Sequence, residues 1–121
     1  MAATSRPPLV LMIVTSDPRT SARPAEAVRI AAGVGAWKKA IVRLHLHGPA
    51  VLCLSEFPDE LVDEDNFSRY LPILGDLGHP VTVEQGSPHL AELGDAPVPY
   101  QEVDGSGLAA LAAGATSVLR F

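Results

Sequence analysis

The chain has 121 residues and a mass of 12.7 kDa, which suits a single domain with a core of its own. Hydrophobic residues make up 47% and charged residues 19%, a balance that excludes intrinsic disorder. No apolar run approaches the roughly 18 residues of a membrane span, and Leu9 to Val14 falls short of the roughly 7 to 15 residues of a secretory h-region. With Cys53 as the single cysteine, the expectation is a cytoplasmic protein in a reducing compartment, without an internal disulfide or a cysteine-built zinc site.

The formal charge of −5 is unevenly spread. Residues 1–50 hold seven Arg or Lys against two carboxylates, a balance of +5, whereas residues 51–121 hold two against twelve, a balance of −10. The asymmetry suits an anionic ligand on the first half, or attraction between copies of the chain. A pI near 5.2 and an aromatic share of 5% leave neither the basic stripe nor the stacking platform of a nucleic-acid binder.

Residues 1–8 read as a loosely ordered, proline-containing leader, and residues 9–121 as one domain. Leu9 to Val14 is an uninterrupted apolar run, as in a central strand buried on both faces of a parallel sheet. Pro24 then suits the first position of a helix running to Trp37 through small residues that pack closely on a sheet. Ala40 to His47 alternates as a strand, with Val42, Leu44 and Leu46 on one face and Arg43, His45 and His47 on the other. Ala50 to Leu54 reads as the first turns of a second helix, and Glu56 to Asp65 as a solvated acidic loop with one helical turn. Asn66 is the expected N-cap of a helix reaching Leu77, closed by Gly78.

Val81 to Val83 is the core of a third strand, followed by a turn at Glu84, Gln85 and Gly86, and Ser87 with Pro88 starts a short helix. Residues 96–100 read as proline-rich and extended, Leu108 to Ala113 as an alanine-rich helix, and Ser117 to Phe121 as a terminal strand. Strands alternating with helices predict a three-layer α/β/α fold with a mostly parallel sheet of about five strands.

The segments LVLMIVTSDP, PAEAVRIAAGVGAW, KAIVRLHLHGPAVLCL, LGDLGHPVTVEQGS and GLAALAAGATSVLRF, in this order, resemble the DsrE/DsrF-like family of sulfur-relay subunits, over nearly the whole chain from Leu9. The resemblance implies a small α/β domain assembled into homo-oligomers such as trimers or hexamers, with related sulfur-relay proteins as partners. Several members carry a persulfide on a cysteine after the third strand. The matching position here is Glu84, so the resemblance implies a subunit without the sulfur acceptor, acting through assembly and partner binding. A thiol between a strand and a helix N-terminus has its thiolate stabilised by the helix dipole; a carboxylate can take the same hydrogen bonds but cannot carry sulfane sulfur.

Cys53, the one thiol nucleophile, has the apolar neighbours Val51, Leu52 and Leu54 and reads as an inert small hydrophobe; sulfur carriage through it is the third functional reading. Glu84 reads either as a general base or cation ligand at the ligand-binding edge of the sheet, or as a capping or interface carboxylate. Asp17, after the first strand, is expected on the same edge and is its nearest candidate partner, which makes a small-ligand-binding protein or enzyme the alternative function. Ser16, Arg19, Thr20, Ser21 and Arg23 form a loop before a helix that suits an anion, although it lacks the glycines of a P-loop and ordinary capping also accounts for it.

His45 and His47 are too few for a metal site unless His79, His89 or a distant carboxylate joins them, so Arg43, His45 and His47 are read as a face meeting another subunit. The acidic run lacks EF-hand spacing, and Trp37, Phe67 and Tyr70 read as core or interface aromatics. No cofactor or metal is called for by any motif, and a homo-oligomer is expected.

Overall fold

β1 (Leu9–Val14) and β2 (Ile41–Leu46) lie side by side in parallel, as their apolar content demands, with Val14 level with Leu46. In this computed structural model, which describes residues 7–78 and 81–121, the sheet is completed by β3 (Val81–Glu84), β4 (Tyr100–Val103) and β5 (Ser117–Arg120). Its strand order is β4-β3-β2-β1-β5 and every neighbouring pair is parallel. β1 is therefore interior, flanked by β2 and β5, while β2 is the middle strand. The first six residues of the expected leader, and His79 with Pro80, lie outside the described residues.

Helices α1 (Arg23–Ala36) and α2 (Glu64–Asp76) cover one face. The main core joins Val28 and Ala31 of α1 and Phe67 and Leu71 of α2 to Met12, Val14, Leu44, Leu46 and Val83 of the strands. Pro24 stands in the first turn of α1, where its missing N–H is not needed, and the alanines at 25, 27, 31 and 32 are all buried. α2 begins earlier than the expected Asn66 cap: Asp63 is the N-cap, in a left-handed conformation at φ 55°, and Glu64 and Asp65 lie in the first turn, where the helix dipole favours negative charge. Asn66 instead donates its side-chain amide to the Ala25 carbonyl at 3.3 Å and ties α2 to α1.

Chain direction explains the placement of α3 (Gly105–Gly114). The chain steps from β1 to β2, β3 and β4 in one direction with its connections on the α1 and α2 face, then returns from β4 to β5 beyond β1. Right-handed crossovers put a return connection on the opposite face, so α3 alone lies there. Leu11, Ile13, His45 and Thr82 point to that face and are buried, but stand apart from the main core. The result is the predicted α/β/α fold with five parallel strands.

Three further elements differ from expectation. Gly48–Leu54 is a fully engaged 3-10 segment rather than the start of an α-helix; Gly48 turns sharply out of β2 at φ 58°, a conformation glycine adopts without strain. β4 forms at 100–103, just after the stretch read as merely extended. α3 starts three residues before Leu108, because Asp104 caps it by accepting the Gly107 N–H at 2.8 Å. Asp104→Ala is expected to lower stability by about 1 kcal/mol in urea unfolding, and a change within a few tenths would show that the cap contributes nothing.

Candidate functional site

Open parallel sheets bind ligands outside the carboxyl ends of their strands, where successive connections leave toward opposite faces. Here that reversal falls between β3, whose connection returns over the α1 and α2 face, and β4, which leads into α3. A cleft of about 350 Å³ opens there, lined by His45, His47, Glu84, Asp104, Gly105 and Leu108.

β2 and β3 supply its polar wall. His45 and Thr82 are level neighbours in the sheet, and His45 Nδ1 is 2.9 Å from Thr82 Oγ1. His45 is 1% exposed and its other nitrogen, Nε2, is buried with no hydrogen-bond partner among the described residues. Burial holds this imidazole neutral: desolvation, with a smaller contribution from His47, lowers its pKa from 6.5 to about 4, against the opposing pull of Glu84. The His47 ring follows on the same face, 5.9 Å from that of His45 between centroids.

Glu84 closes the strand end. Its Oε1 accepts the Gly48 N–H at 3.1 Å and its Oε2 lies 3.3 Å from His47 Nε2. The left-handed turn at Gly48 is what aims that amide at Glu84. A carboxylate so placed faces one edge of the His47 ring at the strand end, beside the cleft. A second cavity of about 350 Å³ adjoins the first and shares His47, Gly105 and Leu108 with it, adding Ile13, Thr15 and Arg120.

The other sequence candidates lie elsewhere or are engaged. Asp17 is on the carboxyl edge, as its place after β1 requires, but Arg19 holds it through Nε at 3.0 Å and an Nη at 3.0 Å, which keeps its carboxyl below the usual range. Glu84 finds its partner in His47, not in Asp17. In the anion-suited loop, Ser16 donates to the Phe121 carbonyl, Ser21 accepts the Arg23 N–H, and Arg23 donates to the Arg120 carbonyl, so those groups serve the loop's own structure. Thr20 is exposed there.

Cys53 is wholly buried and burial pushes its thiol well above the usual range. Of the face carrying Arg43, His45 and His47, only His47 is exposed; Arg43 is half-buried with its Nε unpartnered, and His45 forms the floor of the cleft. Of the aromatics, Phe67 is core, Tyr70 is half-buried and Trp37 is exposed beside Lys39. Among the described residues, no group of three or more His, Cys, Asp or Glu is arranged to hold a metal, and no helix is long and apolar enough to cross a membrane. His79, one of the possible third ligands, is outside those residues.

Sequence reasoning did not pick out Thr82, Asp104, Gly105 or Leu108. The signal for Asp104 is present: an aspartate before Gly105-Ser106-Gly107, at the end of an extended segment, is an N-cap at the ligand edge of an α/β sheet.

No protein-family model matches the chain, and no curated protein matches its sequence. The solved structures do contain a match: a crystal structure of the YchN protein from E. coli is similar at a TM-score of 0.74, covering 94% of this chain and 99% of that one at 20% identity. The fold is DsrE-like. At that identity the likeness concerns the architecture, in agreement with the fold that the sequence resemblance implied.

Proposed function

We propose that this chain is a DsrE-like subunit that has exchanged sulfur carriage for non-covalent binding of a small molecule in the cleft beside Glu84, and that it works as a homo-oligomer in the cytoplasm. The observation that carries the binding is the orphaned Nε2 of His45. Leaving a buried polar atom unpaired costs about 1 to 3 kcal/mol, so a ligand that hydrogen-bonds it gains what the empty site forgoes. At the position where the sequence resemblance implies a thiol stands the carboxylate of Glu84, and Cys53 is enclosed in the core. The adjoining His47 and Glu84 pair fits a binding role or a proton-transfer role without any thiol.

Nitrogen-15 spectra of the histidine rings test this reading, with acetamide, acetate and methylammonium as neutral, anionic and cationic probes. At least one is expected to displace the His45 Nε2 resonance. No displacement by any of the three at molar-range concentration would overturn it.

Assembly is supported by the third layer. No residue of α3 is buried although its sequence is almost wholly apolar, and the edge strand β5 leaves Val118 39% and Leu119 42% exposed. An apolar helix and an unpaired strand edge side by side are what interfaces between copies cover. The balances of +5 and −10 in the two halves favour head-to-tail contacts, which close into rings. Sedimentation at micromolar concentration is expected to show a trimer or hexamer, weakened by salt as the Debye length shortens. A single species of 12.7 kDa at low salt would refute assembly.

A further inference from the structure

The two adjoining cavities are polarised. Among the described residues, the one outside β3 and β4 is lined by Glu84 and Asp104 and by no cationic side chain besides the histidines. The one beside β1 and β5 is lined by Arg120 and, among the described residues, by no Asp or Glu. Between them, His47 offers a hydrogen-bonding ring edge, while Leu108 with Ile13 and Ala112 offers an apolar floor. Glu84 spends one lone pair on the Gly48 amide, with its other oxygen 3.3 Å from His47 Nε2, and Asp104 spends one oxygen on the α3 cap, so both keep acceptor capacity toward the cleft.

This distribution excludes the ligand classes that a helix N-terminus alone would suggest. A phosphate at Gly105 would face two carboxylates, and a simple amine would leave Arg120 unmatched. β3 and β5 are three strand spacings apart, roughly 14 Å at about 4.8 Å per spacing. A strand separation of that order sets the opposite charges farther apart than the two ends of an α-amino acid and suits a molecule of two or three residues, at about 3.3 Å each. Resting on the ligand-binding reading above, we infer that the joined cleft binds a short zwitterionic peptide-like molecule, with its ammonium at Glu84 and Asp104 and its carboxylate at Arg120. A backbone amide of the ligand meets His45 Nε2 or His47, and its small side chains lie on Leu108.

Calorimetric titration of the full chain with trialanine, N-acetyl-trialanine and trialanine amide tests the assignment. Trialanine is expected to bind, and each blocked form to bind at least about tenfold more weakly, as the loss of one charge-assisted hydrogen bond requires. In Arg120→Gln the penalty for the amide should disappear while that for the acetyl form remains, and in Glu84→Gln the penalty for the acetyl form should shrink, Asp104 remaining, while that for the amide is kept. Arg120 is exposed, so its variant reports on binding rather than folding. Absence of trialanine binding, or equal binding of all three forms, would overturn the peptide assignment. If acetamide still displaces His45 Nε2 in that case, the binding site stands and its ligand belongs to another class.

Discussion

Between pH 7 and pH 5 the protein is expected to lose about 2 kcal/mol of stability through His45 alone. The unfolded side chain titrates near 6.5 and the folded one near 4, because burial under α3 penalises the imidazolium and the neighbouring His47 adds to the penalty. Within that window the unfolded chain binds the extra proton, so stability is complete above pH 6.5 and falls as the pH drops toward 4. Glu84 moderates the effect but does not reverse it. Urea unfolding of the natural chain and of His45→Gln at pH 7 and pH 5 separates this contribution from that of other titrating groups. The natural chain should lose about 2 kcal/mol more than the variant, and parallel losses would mean that the ring accepts its proton without leaving the fold.

His45 also marks the limit of what the sequence reveals. The alternation of β2 shows correctly which side chains share a face, since a strand's period is local. Whether that face meets solvent, a second chain or an element of the same chain depends on α3, which arrives some sixty residues later. Local pattern therefore presents Arg43, His45 and His47 as one polar surface, whereas the return connection buries the middle residue and leaves the last exposed. β1, α1 and β2 were legible because their apolar periods are long and unbroken. β4 was not: Tyr100-Gln101-Glu102-Val103 has no apolar run, being an edge strand with its two middle residues exposed.

The start of α2 was misplaced for a different reason. Asp63 stands at the N-cap in a left-handed conformation without a side-chain capping bond, so no capping signal in the sequence marks it over Asn66, and the packing of Phe67 and Leu71 accounts for the earlier start. At the cleft, Glu84 was found through its place at a strand end. Its partner was expected after the end of β1, in Asp17, but comes from His47 just past the end of the neighbouring β2, while Arg19 already holds Asp17.

Glu84→Cys is expected to create a thiol at least about a thousandfold more reactive toward iodoacetamide at neutral pH than Cys53, since each unit of pKa difference changes the thiolate fraction tenfold. The Glu84 side chain is 35% exposed, and its carboxylate oxygens lie 3.1 Å from the Gly48 amide and 3.3 Å from the His47 ring. The introduced sulfur would sit nearer the backbone than those oxygens, on the partly exposed strand end that the Gly48 amide and the His47 ring flank, and so should ionise at or below the ordinary value of about 8.5. Cys53 differs in every respect. It has no exposed surface, it packs among Val51, Leu52 and Leu54, and burial raises its pKa, so its reaction must await an opening of the core. Mass spectrometry after timed alkylation gives both rates in one molecule, and a sulfane donor should load the introduced thiol while leaving Cys53 unmodified. Comparable rates at the two sites would mean that the strand end does not activate a thiol. Stoichiometric persulfide on Cys53 of the natural chain would restore it as a sulfur carrier, and the loss of the acceptor at position 84 would then be a displacement of the chemistry rather than its end.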